Sequence, residues 1–231
     1  MSQHRSLARL AIAMTTSLSL AAACGSSDST APATPATISA VAGTNAQIGT
    51  VGQPLPVNIS VTVLSSSGTP VPGVFVSWAV QSGGGTIGVT SSSTDSLGVA
   101  SVSWTLGTVA GADSLTASVS GVSSIAFSAT ANPGDVVSLV KVSGDAQVVP
   151  AGSAAQPFIV KTVDAYGNAV PGVSVTWVLE NGGELSTTTT VTGSDGLAQS
   201  VFTADATTTY QVMAELPTNP SVETVFTATG S

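Results

Sequence analysis

Along most of this chain hydrophobic residues recur at every second position. Val74, Val76, Trp78 and Val80 alternate with Phe75, Ser77, Ala79 and Gln81, and further on Val173, Val175, Trp177 and Leu179 alternate with Ser174, Thr176 and Glu180. A period of two belongs to a strand with one buried and one wet face. Ala100, Val102, Trp104 and Leu106 read as one more inward row on a single strand, followed by Leu115, Ala117 and Val119, then by Ile125, Phe127 and Ala129. Turn-forming clusters interrupt these rows roughly every 10 residues, a spacing that predicts an all-β protein of packed sheets with Trp78 and Trp177 facing inward.

The pattern is written twice. GTPVPGVFVSW (Gly68 to Trp78) returns as GNAVPGVSVTW (Gly167 to Trp177), NAQ at Asn45 as DAQ at Asp145, GVASVSW at Gly98 as GLAQSVF at Gly196, and FSATA at Phe127 as FTATG at Phe226. Such self-similarity predicts two folding units, residues 37–132 and 136–231, joined by a linker at 133–135. In each unit a Pro-Gly pair, Pro72-Gly73 or Pro171-Gly172, ends the preceding strand. Pro fixes φ and removes a donor, while Gly permits backbone angles closed to other residues. The run that follows then enters the core, so Pro72, Gly73, Trp78, Pro171, Gly172 and Trp177 are expected to specify the fold and carry no chemistry.

The first residues read as an address. Residues 1–23 hold Arg5 and Arg9, an apolar run and small residues before Cys24, the pattern of an export signal. The run is too short and too interrupted by Thr15, Thr16 and Ser17 to span a bilayer, which needs about 20 mostly apolar residues. Leu20-Ala-Ala-Ala-Cys24 resembles the lipobox of bacterial lipoproteins, with Leu20 one place further from the cysteine than that family prefers. The resemblance implies lipidation of Cys24 as the new first residue; a plain secretory cut after Ala23 is the other reading. Residues 24–36, GSSDSTAPATPA after the cysteine, offer nothing to bury and are expected to be a flexible tether. Gly25, rather than Asp, after the cysteine implies by the same resemblance sorting to the outer membrane, on its surface or periplasmic face.

DAYGNAVPGVSVTW (Asp164 to Trp177) resembles the hallmark of the bacterial immunoglobulin-like domains of group one, the modules stacked in the extracellular rods of invasin and intimin. SSSGTPVPGVFVSW (Ser65 to Trp78) follows the same pattern with Ser65 in the place of the aspartate. The resemblance implies two tandem immunoglobulin-like β-sandwiches in an envelope array that acts in adhesion or as a spacer. The translocating barrel and lectin-like module of the large relatives have no counterpart in these residues.

Charge and composition narrow the chemistry. Of 231 residues 7% are charged and the formal net charge is −8. Once the signal is removed, Lys141 and Lys161 alone face 12 acidic residues, a balance that repels a phosphate backbone and excludes nucleic acid as a partner. The single histidine, His4, lies in the signal, so the exported chain has no Ser-His-Asp or Cys-His group and no His/Cys metal cluster. Ser138 and Lys141 fit S-x-x-K but fall in a strand-like run, where residues three apart point to opposite faces. Glu180 and Glu184 flank a loop that has no aromatic sugar platform. Asp145, Asp164, Asp195 and Asp205 would bind calcium only if their loops converged. Phe75 points outward where the second copy has Ser174 and is a candidate contact residue. The expectation is therefore a protein without catalytic residues, cofactor or metal, held to a membrane through Cys24. Its partner is a surface protein or glycan in one reading; in the other it is an envelope spacer without a specific ligand.

Overall fold

The computed structural model describes residues 33–231, and every regular element among them is a β-strand. The expected signal, Cys24 and most of the expected tether lie outside the described residues.

The first half contains β1 (Thr37–Ala40), β2 (Gln47–Thr50), β3 (Ile59–Leu64), β4 (Phe75–Ser82), β5 (Thr86–Ile87), β6 (Ser91–Ser93), β7 (Val99–Val102), β8 (Trp104–Thr105), β9 (Gly111–Val119) and β10 (Val122–Asn132). The second contains β11 (Ser138–Ser143), β12 (Gln147–Val149), β13 (Phe158–Val163), β14 (Ser174–Glu180), β15 (Glu184–Leu185), β16 (Thr189–Val191), β17 (Leu197–Ser200), β18 (Phe202–Thr203), β19 (Thr209–Leu216) and β20 (Asn219–Gly230). In each half a five-stranded sheet faces a three-stranded one, with a two-stranded ribbon beside them. The orders are β2-β10-β9-β4-β6, β1-β3-β7 and β5-β8, then β12-β20-β19-β14-β16, β11-β13-β17 and β15-β18. Pairing is antiparallel except for β2 with β10 and β12 with β20.

Alternation produces two separate cores. One gathers Ile59, Val61, Val76, Trp78, Val102, Trp104, Leu115 and Phe127, the other Phe158, Val160, Val175, Trp177, Phe202, Tyr210, Val212 and Phe226. Both central tryptophans lie opposite a small residue in the neighbouring strand, Trp78 opposite Ala117 and Trp177 opposite Ala214, which leaves room for the indole. Phe127 packs 6.4 Å from Trp78, and Phe226 packs 6.1 Å from Trp177, in the tilted geometry that aromatic quadrupoles favour. The indole N–H of each of these two tryptophans finds a hydroxyl: Trp78 Nε1 donates to Ser92 Oγ at 2.9 Å and Trp177 Nε1 to Thr190 Oγ1 at 2.8 Å.

One element departs from the expectation. The row Ala100, Val102, Trp104, Leu106 is not one strand, because after β7 the chain leaves its partner β3, and β8 pairs with β5 instead. The alternation runs through the change of sheet, so all four side chains remain buried.

The Pro-Gly corners have a part that the repeat alone does not reveal. Gly73 and Gly172 both adopt φ 73°, in open space, and their N–H groups donate to the carbonyls of Thr94 and Thr192. Thr94 Oγ1 accepts from Val74 N at 2.9 Å and donates to Val71 O at 2.6 Å; Thr192 Oγ1 does the same with Val173 N and Val170 O. A buried threonine thus staples each corner. The NAQ and DAQ repeats are also structural. Asn45 and Asp145 each accept from the following alanine N–H and from a strand N–H, of Ser128 and Thr227 respectively. The Gln47 and Gln147 amides tie the loop to Val57 and Gln156.

Candidate interaction surfaces

The residues singled out for possible chemistry do not converge. Ser138 and Lys141 both lie on β11, where Lys141 forms an ion pair with Asp145 and sits 5.4 Å above the Phe226 ring. Glu180 ends β14 and Glu184 begins β15, both exposed. The four aspartates serve four separate local ties. Lys141 donates to Asp145, and with the Thr227 and Ala146 N–H groups it holds that carboxyl below its usual range despite opposing burial. Burial pushes Asp164 up, but the Asn168 amide and the N–H groups of Gly134, Asn168 and Tyr166 outweigh it and leave the carboxyl lowered. Asp195 Oδ1 accepts from Leu197 N at 3.0 Å within a turn. Asp205 is lowered, mainly by the Tyr210 hydroxyl that donates to it. All three shifted carboxyls move away from the range of a general acid, as hydrogen bonding to the ionised form requires. No group of three or more metal-ligating side chains occurs among the described residues.

Tyr210 was not visible as a site in the sequence. Its hydroxyl also accepts from Ala206 N at 2.8 Å and lies 2.8 Å from Ala206 O, tying the start of β19 to the loop before it. Burial, and then Asp205, push the phenol above its usual range. The first sandwich has Asp113 in this place, with Oδ2 accepting from Gly107 N.

The two halves differ most on the outward side of their three-stranded sheets. In the first, that side carries Thr37, Ser39, Ser60, Thr62, Val99 and Ser101, with Ser60 and Ser101 hydroxyls 2.8 Å apart. In the second, the pairing registers put Val140, Ile159 and Lys161 where the first has Ser39, Ser60 and Thr62. Val140 is 47% exposed, Val142 52% and, across a groove from Leu197, Val191 64%. That groove, of about 350 Å³, separates β16 from β17 and is lined by Ile159, Thr190, Val191, Asp195, Leu197 and Gln199, among others. A second groove, of about 480 Å³, runs from β14 to β15 past Val178, Leu179, Gly183 and Glu184. Phe75, 72% exposed, stands outward on β4 in the first sandwich.

Facing sheets, the parallel β12–β20 pair and a tyrosine hydroxyl reaching back to the corner before its strand define an immunoglobulin-like sandwich. Residues 139–229, most of the second sandwich, match the family described as Bacterial Ig-like domain (group 1). No curated protein matches the chain in sequence. Among solved structures, InvD of Yersinia pseudotuberculosis is similar over 84% of this chain and 57% of its own, with 18% identity and a TM-score of 0.54. The Escherichia coli adhesin FdeC is 17% identical over 84% of this chain and 63% of its own, with a TM-score of 0.49. Invasin, a bacterial integrin-binding protein, is 18% identical over 84% of this chain and 39% of its own, with a TM-score of 0.41. The chain thus spans less than two thirds of each of these three structures, and at such identities the likeness is one of fold.

Proposed function

We propose that this chain is an exported envelope protein, anchored through lipidated Cys24, that holds two group-1 immunoglobulin-like sandwiches off the membrane and makes contact through the second. The observation that carries this reading is the contrast between the two three-stranded faces. Both halves fold on the same strand order, so folding does not require Val140 and Ile159 on the three-stranded sheet, or Val191 across the groove on β16, to be apolar where the first half has Ser39, Ser60 and Ser93. An apolar outward face in the second half alone supports a contact role. Its lack of an aromatic platform favours a protein partner over a glycan. The lowered carboxyls and dispersed aspartates support a role without catalysis. The first sandwich, whose corresponding face is hydroxylic, fits the part of a spacer.

The test has two arms. Cys24→Ser is expected to move the protein from the membrane fraction to the soluble one; a variant that still sediments with the envelope overturns the anchor. Val140→Ser/Ile159→Ser/Val191→Ser, which installs the first sandwich's residues, is expected to abolish binding of the exported chain to immobilised surface and matrix proteins. Binding that survives the triple change removes this face from the reading, and absence of binding by the parent chain leaves the spacer role.

A further inference from the structure

The turn between β3 and β4 of the first sandwich recurs between β13 and β14 of the second, but the two are built differently. In the first, Ser65 N donates to Thr69 O and Gly68 N to Ser65 O, and three hydroxyls close the loop: Ser65 Oγ lies 2.9 Å from Ser67 Oγ, which lies 3.1 Å from Thr69 Oγ1. In the second, Asp164 N donates to Asn168 O and Gly167 N to Asp164 O, giving the same turn. The turn itself therefore needs neither an aspartate nor an asparagine.

Asp164 Oδ1 accepts from Tyr166 N and Asn168 N within the turn, each at 2.9 Å, and the remaining groups of Asp164, Tyr166 and Asn168 reach out of their own sandwich. Asn168 Oδ1 accepts from Ala110 N at 2.8 Å, and Asn168 Nδ2 donates to Thr108 O at 2.8 Å; both partners lie in the loop between β8 and β9 of the first sandwich. A carbonyl at one residue and an N–H two residues on are the groups that a neighbouring strand would satisfy. The side-chain amide takes the place of that strand. Asp164 orients the amide by accepting from Nδ2 through Oδ2 at 2.9 Å, and the same oxygen accepts from Gly134 N of the linker at 2.9 Å. Tyr166 Oη lies against Gly52 in the β2–β3 turn, 2.6 Å from where a Cβ would stand, so only glycine leaves it room. The turn thus grips the end of the preceding sandwich and the linker together.

We propose that Asp164, Tyr166 and Asn168 form a docking clasp whose partner is the exposed backbone at the end of a preceding immunoglobulin-like module. It makes the two sandwiches one rigid body and presents the outward face of the second at a fixed distance and angle. Relative motion is the default for domains joined by a short linker and a small interface. The clasp removes it with directional hydrogen bonds. It also marks order: Ser65, Ser67 and Thr69 close on one another and carry no such grip, so the first sandwich is the leading module of the pair.

The experiment uses the exported chain with Tyr166→Ser/Asn168→Thr, the residues with which the first sandwich closes the same turn, and reads the rotational correlation time of each sandwich by ¹⁵N relaxation. In the parent both sandwiches share one correlation time. In the variant each falls toward that of a single sandwich, about half, because tumbling time scales with the volume that moves together. Dispersed amide spectra for both halves show that the fold is retained, and Asn168→Thr alone provides a milder version. Ser67→Tyr/Thr69→Asn, on the turn without a grip, leaves tumbling unchanged. A parent whose halves already tumble separately, or a folded variant that keeps the common correlation time, overturns the clasp.

Discussion

Thr94→Val is a sharp test of how the corners are held. The side chain is 4% exposed, and its hydroxyl is the only hydrogen-bond partner found for Val74 N–H, while also donating to the Val71 carbonyl. Valine keeps the shape and removes both bonds. A buried group left unpaired costs about 1–3 kcal/mol, and the carbonyl, with a second lone pair, sits at the low end, so the change is worth about 2–4 kcal/mol. Against a total of about 5–15 kcal/mol for a domain, that is a large share. Urea unfolding followed by tryptophan fluorescence reads it, because Trp78 and Trp104 report on the first sandwich and Trp177 on the second. With a slope of about 1–2 kcal/mol per molar urea for a unit of this size, the first transition moves down by about 1–4 M. Thr130→Val, on an exposed strand position, is the control and stays within about 0.5 kcal/mol. A Thr94→Val loss no larger than the control's would refute the staple.

Gly107→Ala should leave the first sandwich unfolded at room temperature, since its Cβ would stand 1.6 Å from the Gly83 carbonyl oxygen, a backbone atom that cannot yield; native circular dichroism from the variant contradicts this. Tyr210→Phe removes the ties to Asp205 and Ala206 and is expected to lower the melting temperature of the second sandwich while leaving the first corner intact; equal shifts in both would count against it. Because the Asp164 carboxyl is lowered in the folded state, its stabilisation is complete above the unfolded value of about 3.9 and lost as pH falls through the lower folded value. The shared tumbling of the two sandwiches should hold from neutral pH to about 5 and separate only below about 4; separation near neutrality contradicts the assignment.

Much of the fold was legible because its signal is local. The alternation around Trp78 and Trp177, and the Pro-Gly pairs before them, report which side of a strand is dry without any knowledge of its partners. The break at Ser103 was not legible, since alternation continues across a change of sheet and only the pairing partner differs. Asn45, Asp145, Gln47 and Gln147 appeared as matching letters, but their purpose lies in the strand and loop groups they reach: Asn45 bonds Ser128 N and Asp145 bonds Thr227 N. Thr94, Thr192 and Tyr210 carried no signal at all, because a threonine or tyrosine in a strand-rich chain is ordinary until its hydroxyl is seen to face a particular backbone group.

The sequence by itself determined the all-β class, the duplicated pattern and the buried rows, all consequences of chain-local periodicity and turn chemistry. Tertiary structure alone decided that Val140, Ile159 and Leu197, far apart in the chain, gather around Lys161 on the outward face of one sandwich, because only strand register places them on neighbouring strands. It also decided that Asp164, Tyr166 and Asn168 face another module while Ser65, Ser67 and Thr69 do not. Both turns obey the same local rules, and only the position of the preceding sandwich distinguishes a grip from a closed loop.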